Sequence, residues 1–279
     1  MSNKKMGPFV KWAGGKSQLL DKLHDRVPNS YGAYYEPFIG GGALFLREKP
    51  AVAFINDINE QLINIYRQLK ADPREVIRAI RKLDDGPCDK EHYLKMRDRY
   101  NEKIREHEID LECSALMIWL NKHCFNGLYR VNKKGEFNVP YNNNQKGKSM
   151  DEVNLMNIGY YLSHSNVSIT CQDFEEACQK AQKGDFVYFD SPYIPVSVTA
   201  NFTDYTSDGF EYKDHVRLAE LYKKLSDKGV KVMLSNHDVP LVYELYDGFK
   251  IENVEVNRAI NSDAKKRKGK EVIITNYEI

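Results

Sequence analysis

The spacing of apolar residues along this chain changes character several times. Tyr34-Tyr35-Glu36-Pro37-Phe38-Ile39 is a short, nearly continuous apolar run that suits a buried strand, and it ends in Gly40-Gly41-Gly42. Ala43-Leu44-Phe45-Leu46 then begins a helix, and Ala51-Val52-Ala53-Phe54-Ile55 forms a second strand closed by Asn56-Asp57. Strand, glycine turn, helix, strand and acidic residue, in that order, make up a nucleotide-binding βαβ unit. From about Glu60 to Asn121 helical spacing takes over: Leu62, Ile65, Tyr66 and Leu69, and later Leu116, Trp119 and Leu120, recur among charges. Residues 122–165 read as polar and loop-like, with Asn142-Asn143-Asn144 and scattered lysines. Strand-like runs return at Val167–Thr170, Phe186–Phe189 and Val230–Leu234, with helical patterning at Val216, Leu218, Leu221 and Leu225 between the last two. No repeat interrupts the series. The pattern predicts an α/β core over residues 1–58 and 166–279, with a mostly helical insertion at 59–165.

With 279 residues, 42% of them hydrophobic and 29% charged, the chain can bury a sizeable core. The apolar run Ser114–Leu120 falls far short of the roughly 20 residues a membrane span needs, and Met-Ser-Asn-Lys-Lys opens no signal peptide. The five cysteines form no Cys-x-x-Cys pair and the seven histidines no His-x-x-x-His pair. Neither a disulfide framework nor a metal centre is expected, and the setting is a reducing cytoplasm. A net charge of +1 argues against a uniformly basic surface but leaves room for local patches.

Three segments carry candidate chemistry. Glycines between a strand and a helix let a ligand approach the backbone, and the helix N-terminus favours hydrogen-bond acceptors. A dinucleotide fingerprint begun at Gly40 would need a third glycine where Phe45 stands, whereas Asp57 falls where a carboxylate receives ribose hydroxyls. Ala13-Gly14-Gly15-Lys16-Ser17 ends like a phosphate-binding loop but has Val10 where that loop needs its first glycine, which disfavours a kinase. Two lysines, an indole and two glycines within residues 9–16 still point to ligand contact. Finally, Phe186–Phe189 delivers Asp190-Ser191-Pro192-Tyr193 to a strand's carboxyl end, where open α/β sheets keep their sites. There a carboxylate and a backbone carbonyl can accept both hydrogens of a heterocycle's exocyclic amine while Tyr193 stacks on the ring. Acceptors off the ring plane favour a pyramidal nitrogen with its lone pair aimed at an electrophile.

Taken together these motifs resemble the Dam-type (alpha group) family of DNA adenine-N6 methyltransferases. The resemblance runs through Phe-Val-Lys-Trp-Ala-Gly-Gly-Lys at 9–16, Glu-Pro-Phe-Ile-Gly-Gly-Gly at 36–42 and Asn-Asp-Ile-Asn at 56–59. It continues in Phe-Asn-Gly-Leu-Tyr-Arg at 125–130, Gly-Glu-Phe-Asn-Val-Pro at 135–140 and Asp-Ser-Pro-Tyr at 190–193, and ends with Thr199–Thr203 and Leu234-Ser235-Asn236. It implies a Rossmann-like core dependent on S-adenosylmethionine and a target-recognition domain in the insertion. It assigns Trp12, Lys16, Asp57 and Asp190 to the donor, with Glu36, Phe38, Gly40 and Gly42 in the turn beneath its methionine part. Asp173 and Phe174 would lie beside its adenine. Asp190, Ser191, Pro192 and Tyr193 would hold an adenine flipped out of duplex DNA, because a stacked base is out of reach. Lys11, Phe125, Asn126, Leu128, Arg130 and Pro140 would contact DNA, with GATC as the implied target. The residue types agree: Phe125 as a wedge with Asn126 beside it, Arg130 for guanine and Pro140 for a thymine methyl.

Six basic residues and one acid lie between Arg258 and Lys270, a cluster that includes Arg258, Lys265, Lys266 and Arg267 and suits a phosphate-contacting hairpin loop. Two positions depart from the family. Ser191 replaces the first proline of Asp-Pro-Pro-Tyr, keeping the carbonyl but loosening the turn, and Asn142–Asn144 stands where relatives often carry a basic residue and an aromatic. Two other readings stand beside the first: a DNA-binding relative impaired through Ser191, and the same chemistry on a different sequence or on RNA. Double-stranded DNA is the expected partner, acted on by a monomer without metal or membrane. A companion restriction endonuclease is one context, beside epigenetic marking and repair signalling.

Overall fold

In this computed structural model, residues 6–12, 14–16, 19–144, 148–195, 209–257 and 268–278 are described. In chain order the elements begin with α1 (Leu20–His24), β1 (Tyr34–Glu36), α2 (Ala43–Glu48), β2 (Val52–Asn56) and α3 (Glu60–Ala71). Next come α4 (Pro73–Asp84), α5 (Lys90–Arg105), α6 (Leu111–His123), α7 (Glu152–His164), β3 (Asn166–Thr170) and α8 (Phe174–Ala177). The chain ends with β4 (Phe186–Phe189), α9 (Tyr212–Asp227), β5 (Lys231–His237), α10 (Pro240–Leu245), β6 (Lys250–Asn257) and β7 (Lys268–Thr275). The seven strands form one sheet in the order β3-β2-β1-β4-β5-β7-β6. β1 pairs in parallel with β2 and β4, and β4 with β5; β7 inserts antiparallel between β5 and β6. This is the expected Rossmann-like α/β architecture.

Two compact units divide the chain. The second unit comprises Lys16–Ile39, Val52–Asn56 and Gln172–Ile279. Its core gathers Tyr35, Val187, Phe189, Val232, Leu234, Val272 and Ile274 from the strands with Leu218, Tyr222 and Leu225 of α9. All four residues of β4 are buried, as expected of a parallel strand covered on both faces. β1 stops at Glu36, short of the expected Ile39, because Pro37 has no N–H to give to a neighbouring strand.

The other unit comprises Met1–Gly15, Gly40–Ala51 and Asp57–Cys171. Its helices start sharply because Asn59, Asp72, Asp89, Asp110 and Asp151 each accept a hydrogen bond from a backbone N–H of the first turn. α6 is buried along most of its length, from Cys113 to Asn121, and acts as the unit's central post. α7 lies inside the stretch read as loop. Its apolar positions Leu155, Ile158 and Leu162 keep helical spacing and are buried, but intervening asparagines and glycine mask the period. β6 and β7 also escaped the hydrophobic pattern: the edge strand β6 alternates charged or polar with apolar residues, and β7, inside the sheet, opens on Lys268-Gly269-Lys270-Glu271 before its short apolar run Val272-Ile273-Ile274.

Candidate active site

The parallel strands of the second unit present their carboxyl ends side by side, with Val187 in register with Tyr35 and Phe189 with Leu234. Asp190, Ser191, Pro192 and Tyr193 follow directly on β4. The neighbouring strand pins this turn: Ile194 N–H donates to Asn236 Oδ1 at 2.9 Å, and Ile194 O lies 2.8 Å from His237 Nδ1. Lys16 is buried and sits 2.5 Å from Asp190 Oδ1 and 4.3 Å above the Tyr193 ring. Ser235 Oγ donates to the same carboxylate oxygen at 3.5 Å, and Tyr193 donates its hydroxyl to Glu271 at 3.0 Å. Burial pushes the Asp190 carboxyl above its ordinary range, Lys16 opposes the rise and Glu271 adds to it. Asp190 Oδ2 has no partner among the described residues, so a carboxylate oxygen and the Ser191 carbonyl remain available beside an aromatic face. The Ser191 side chain is buried, and its Oγ likewise lacks a partner.

Glu36 ends β1, buried, and accepts the Tyr34 hydroxyl at 2.5 Å. Phe38 and Phe174 bring their ring centroids within 5.4 Å. Asn56 joins the segments on either side by bonding Pro37 O, Gln172 O and Gln172 N–H at 2.9–3.0 Å. Asp173 caps α8 and accepts Arg217 at 2.9 Å, while the Arg217 guanidinium lies 4.8 Å over the Phe174 ring.

In the first unit, Gly40 and Gly42 adopt φ of +48° and +68°, a left-handed conformation that favours glycine. A Cβ on Gly40 would meet Trp12 Cδ1 at 2.8 Å, so the indole lies directly on the turn. Asp57 Oδ2 accepts Gly40 N–H and Oδ1 accepts Asn59 N–H, both at 3.0 Å. Burial raises the Asp57 carboxyl, and these backbone bonds oppose the rise. Trp12 stacks on Tyr129 at 5.0 Å, and Gly15 N–H closes a tight turn on Trp12 O at 3.1 Å.

The segment from Cys124 to Tyr141 closes as an irregular hairpin, with bridges at Cys124–Tyr141 and Val131–Phe137. Phe125, Asn126, Leu128, Arg130 and Pro140 are all exposed on it. Phe125 N–H donates to Pro140 O at 2.8 Å, so the wedge candidate and the proline share one anchor. Arg130 Nε donates to Asn138 Oδ1 at 2.8 Å. Lys11 is exposed, its backbone locked to Asn121 in both directions at 2.8 and 2.9 Å, and Asn121 also donates to Gly127 O at 2.9 Å. Arg258, Lys265, Lys266, Arg267 and the motif at 199–203 lie outside the described residues.

Sequence reasoning missed the supporting residues Asn121, Tyr129, Asn138, Arg217, Glu271 and the buried His215. Only Asn121 had a local signal, a polar residue facing inward within the apolar run of α6.

The family model described as D12 class N6 adenine-specific DNA methyltransferase matches residues 12–260. The Type II methyltransferase M1.LlaDCHI of Lactococcus lactis subsp. cremoris is 44% identical, covering 97% of this chain and 95% of that protein. The Type II methyltransferase M.MjaIII of Methanocaldococcus jannaschii is 42% identical over 97% of this chain and 99% of its own length. The DNA adenine methylase of Escherichia coli (strain K12) is 32% identical, covering 99% and 96%.

Proposed function

Because this chain belongs to the D12 class of N6 adenine-specific DNA methyltransferases, we propose that it transfers the methyl group of S-adenosylmethionine to adenine N6 in duplex GATC after extruding the base. The residues present fit that donor. Gly40 leaves bare backbone against Trp12, and each Asp57 oxygen, having accepted one N–H, keeps a lone pair for a ribose hydroxyl. Trp12, Lys16, Glu36, Phe38, Gly40, Gly42, Asp57, Asp173, Phe174 and Asp190 would hold it. When bound, the donor supplies a methyl carbon made electrophilic by its sulfonium.

The chain's own contribution is orientation and charge. Asp190 Oδ2 and the Ser191 carbonyl accept the two amine hydrogens, Pro192 stiffens the turn, and Tyr193 covers the ring. Lys16, 2.5 Å from Asp190 Oδ1, favours the carboxylate form against the burial that opposes it. The raised Asp190 carboxyl is also a fit acceptor for the proton the nitrogen sheds.

The core at 1–58 and 166–279 would do this chemistry, with 59–165 as the recognition domain. There Phe125 and Leu128 offer exposed apolar surface to the gap left by the base, and Asn126 a polar edge. Asn138 orients Arg130 so that its remaining N–H groups can reach a guanine, with Pro140 against a thymine methyl and Lys11 on DNA. The basic cluster at Arg258, Lys265, Lys266 and Arg267 would hold phosphates. Identity to the two Type II methyltransferases exceeds identity to the DNA adenine methylase, which favours protection against a companion endonuclease; the cytoplasm is the proposed setting and a monomer the proposed acting form.

The observation that carries this reading is the open Oδ2 of Asp190 beside Tyr193 at the end of β4. Tritiated methyl transfer to unmethylated GATC duplex tests it, with single base-pair variants as controls. Asp190→Ala is expected to cut turnover at least about 100-fold while donor binding stays detectable. Undiminished turnover would remove Asp190 from the chemistry, and equal transfer to altered duplexes would refute GATC.

A further inference from the structure

Phe38, Phe174 and Phe210 form a continuous aromatic cluster in the second unit, with Phe210 5.9 Å from each of the other two centroids. His215, in the first turn of α9, stands edge-on to Phe210 with centroids 4.8 Å apart at 76°. The residue is only 4% exposed, yet its Nε2 has no hydrogen-bond partner among the described residues. Desolvation holds the imidazole at about 4, so at neutral pH it is an uncharged ring with hydrogen-bonding capacity to spare. Folding does not normally leave such a nitrogen dry and unpaired, because the lost hydration is not recovered. Two residues on, Arg217 bonds Asp173, Glu175 and Asp214 at 2.9, 2.7 and 3.1 Å. The corner therefore combines apolar ring faces, a fixed carboxylate and a neutral imidazole. That chemistry suits a purine.

We propose that His215 is a specificity-determining contact for the donor's adenine, its Nε2 hydrogen-bonding to the Watson–Crick edge of the purine within the Phe38–Phe174–Phe210 cluster. The sugar leaves a purine on the opposite side from that edge, so the edge is what reaches a deeply buried group. The inference rests on assigning Asp173 and Phe174 to the donor's adenine. It gives the unpaired nitrogen a ligand rather than a place in the apolar core.

The test uses the full chain with His215→Leu and His215→Gln, titrated calorimetrically with S-adenosylmethionine, adenosine and inosine, whose Watson–Crick edge is altered. In His215→Leu the affinity for S-adenosylmethionine and adenosine should fall about tenfold, and the parent's preference for adenosine over inosine should shrink by about the same factor. His215→Gln, which keeps a hydrogen-bonding group, should retain most of both. Thermal unfolding without ligand separates a packing role from a binding one: Leu removes an unpaired polar atom, so the empty variant should be at least as stable as the parent. Unchanged affinity and unchanged adenosine preference in a folded Leu variant would overturn the proposal. Should Leu not fold, unchanged affinity and unchanged adenosine preference in a folded His215→Ala variant would overturn it equally. A parent that fails to bind S-adenosylmethionine would instead sink the donor assignment beneath it.

Discussion

Ser191 sits where the resemblance expects proline; the residue is 2% exposed and its hydroxyl has no partner among the described residues. Removing an unpaired hydroxyl and restricting the unfolded chain act in the same direction, so Ser191→Pro should stabilise the protein by about 1 kcal/mol. Calorimetry should show this as a Tm higher by about 2–4 °C. Single-turnover methylation should be faster than in the parent, since the carbonyl proposed to accept the amine is kept and the turn stiffens. A rate equal to or below the parent's would show that rigidity was not the missing quantity. Asp190, Tyr193 and Asp57 were legible from the motif alone. Their partners Lys16, Glu271 and Gly40 N–H could not all be read in the same way, because Glu271 lies 78 residues from Tyr193.

The hairpin proposed to contact DNA shows how a polar side chain can organise an irregular element. Asn121 uses one amide to tie the Lys11 backbone to Gly127 O. At Gly127 φ is +67°, and a Cβ there would meet the Lys11 side chain at 2.4 Å. Asn101 and Tyr93 hold the far strand of the hairpin through Phe137 and Val139. Asn121→Ala would leave buried backbone groups unpaired, at a cost of about 2–3 kcal/mol. DNA affinity, read by fluorescence anisotropy, should fall at least about tenfold while donor affinity changes less than about twofold. Equal losses of both would mean that Asn121 supports the whole fold rather than the hairpin. α7 gives the complementary lesson: its periodicity was present, but asparagines at half-buried positions and a glycine between the apolar residues made thirteen helical residues read as loop.

On the scale of the molecule, acidic and basic residues nearly cancel, so stability against pH is governed by buried groups rather than by net repulsion. His215 titrates at about 4 in the folded protein against 6.5 unfolded, through burial, with Asp214 beside it opposing the shift. The unfolded chain therefore binds more protons between those values. The stability this residue preserves at neutral pH is lost as pH falls from about 6.5 through about 4, by up to about 3 kcal/mol. His123, buried and likewise lowered, acts with the same sign. Urea unfolding across that range should show stability dropping towards acid and a shallower drop in His215→Leu. An unchanged slope would show that His215 is already protonated in the native state. Glu211, Asp214 and Arg217 surround the start of α9 and are the charges a pH series must take into account.

Hydrophobic period, glycine turns and strand-end motifs are short-range properties. From them alone come the positions of β1 to β5 along the chain, the corner at Gly40–Gly42 and the placement of Asp190 through Tyr193 after β4. Side-chain pairing is not short-range. Asn121 meets Lys11 across 110 residues and Arg217 meets Asp173 across 44, and nothing in a local window favours those partners over others. Only packing selects them, because burial makes an unpaired polar group expensive and each fold leaves few geometries that pair it. Tertiary structure thus decided which groups hold Asp190, Tyr193 and Asp57 in place, and among the described residues it gave His215 Nε2 no partner.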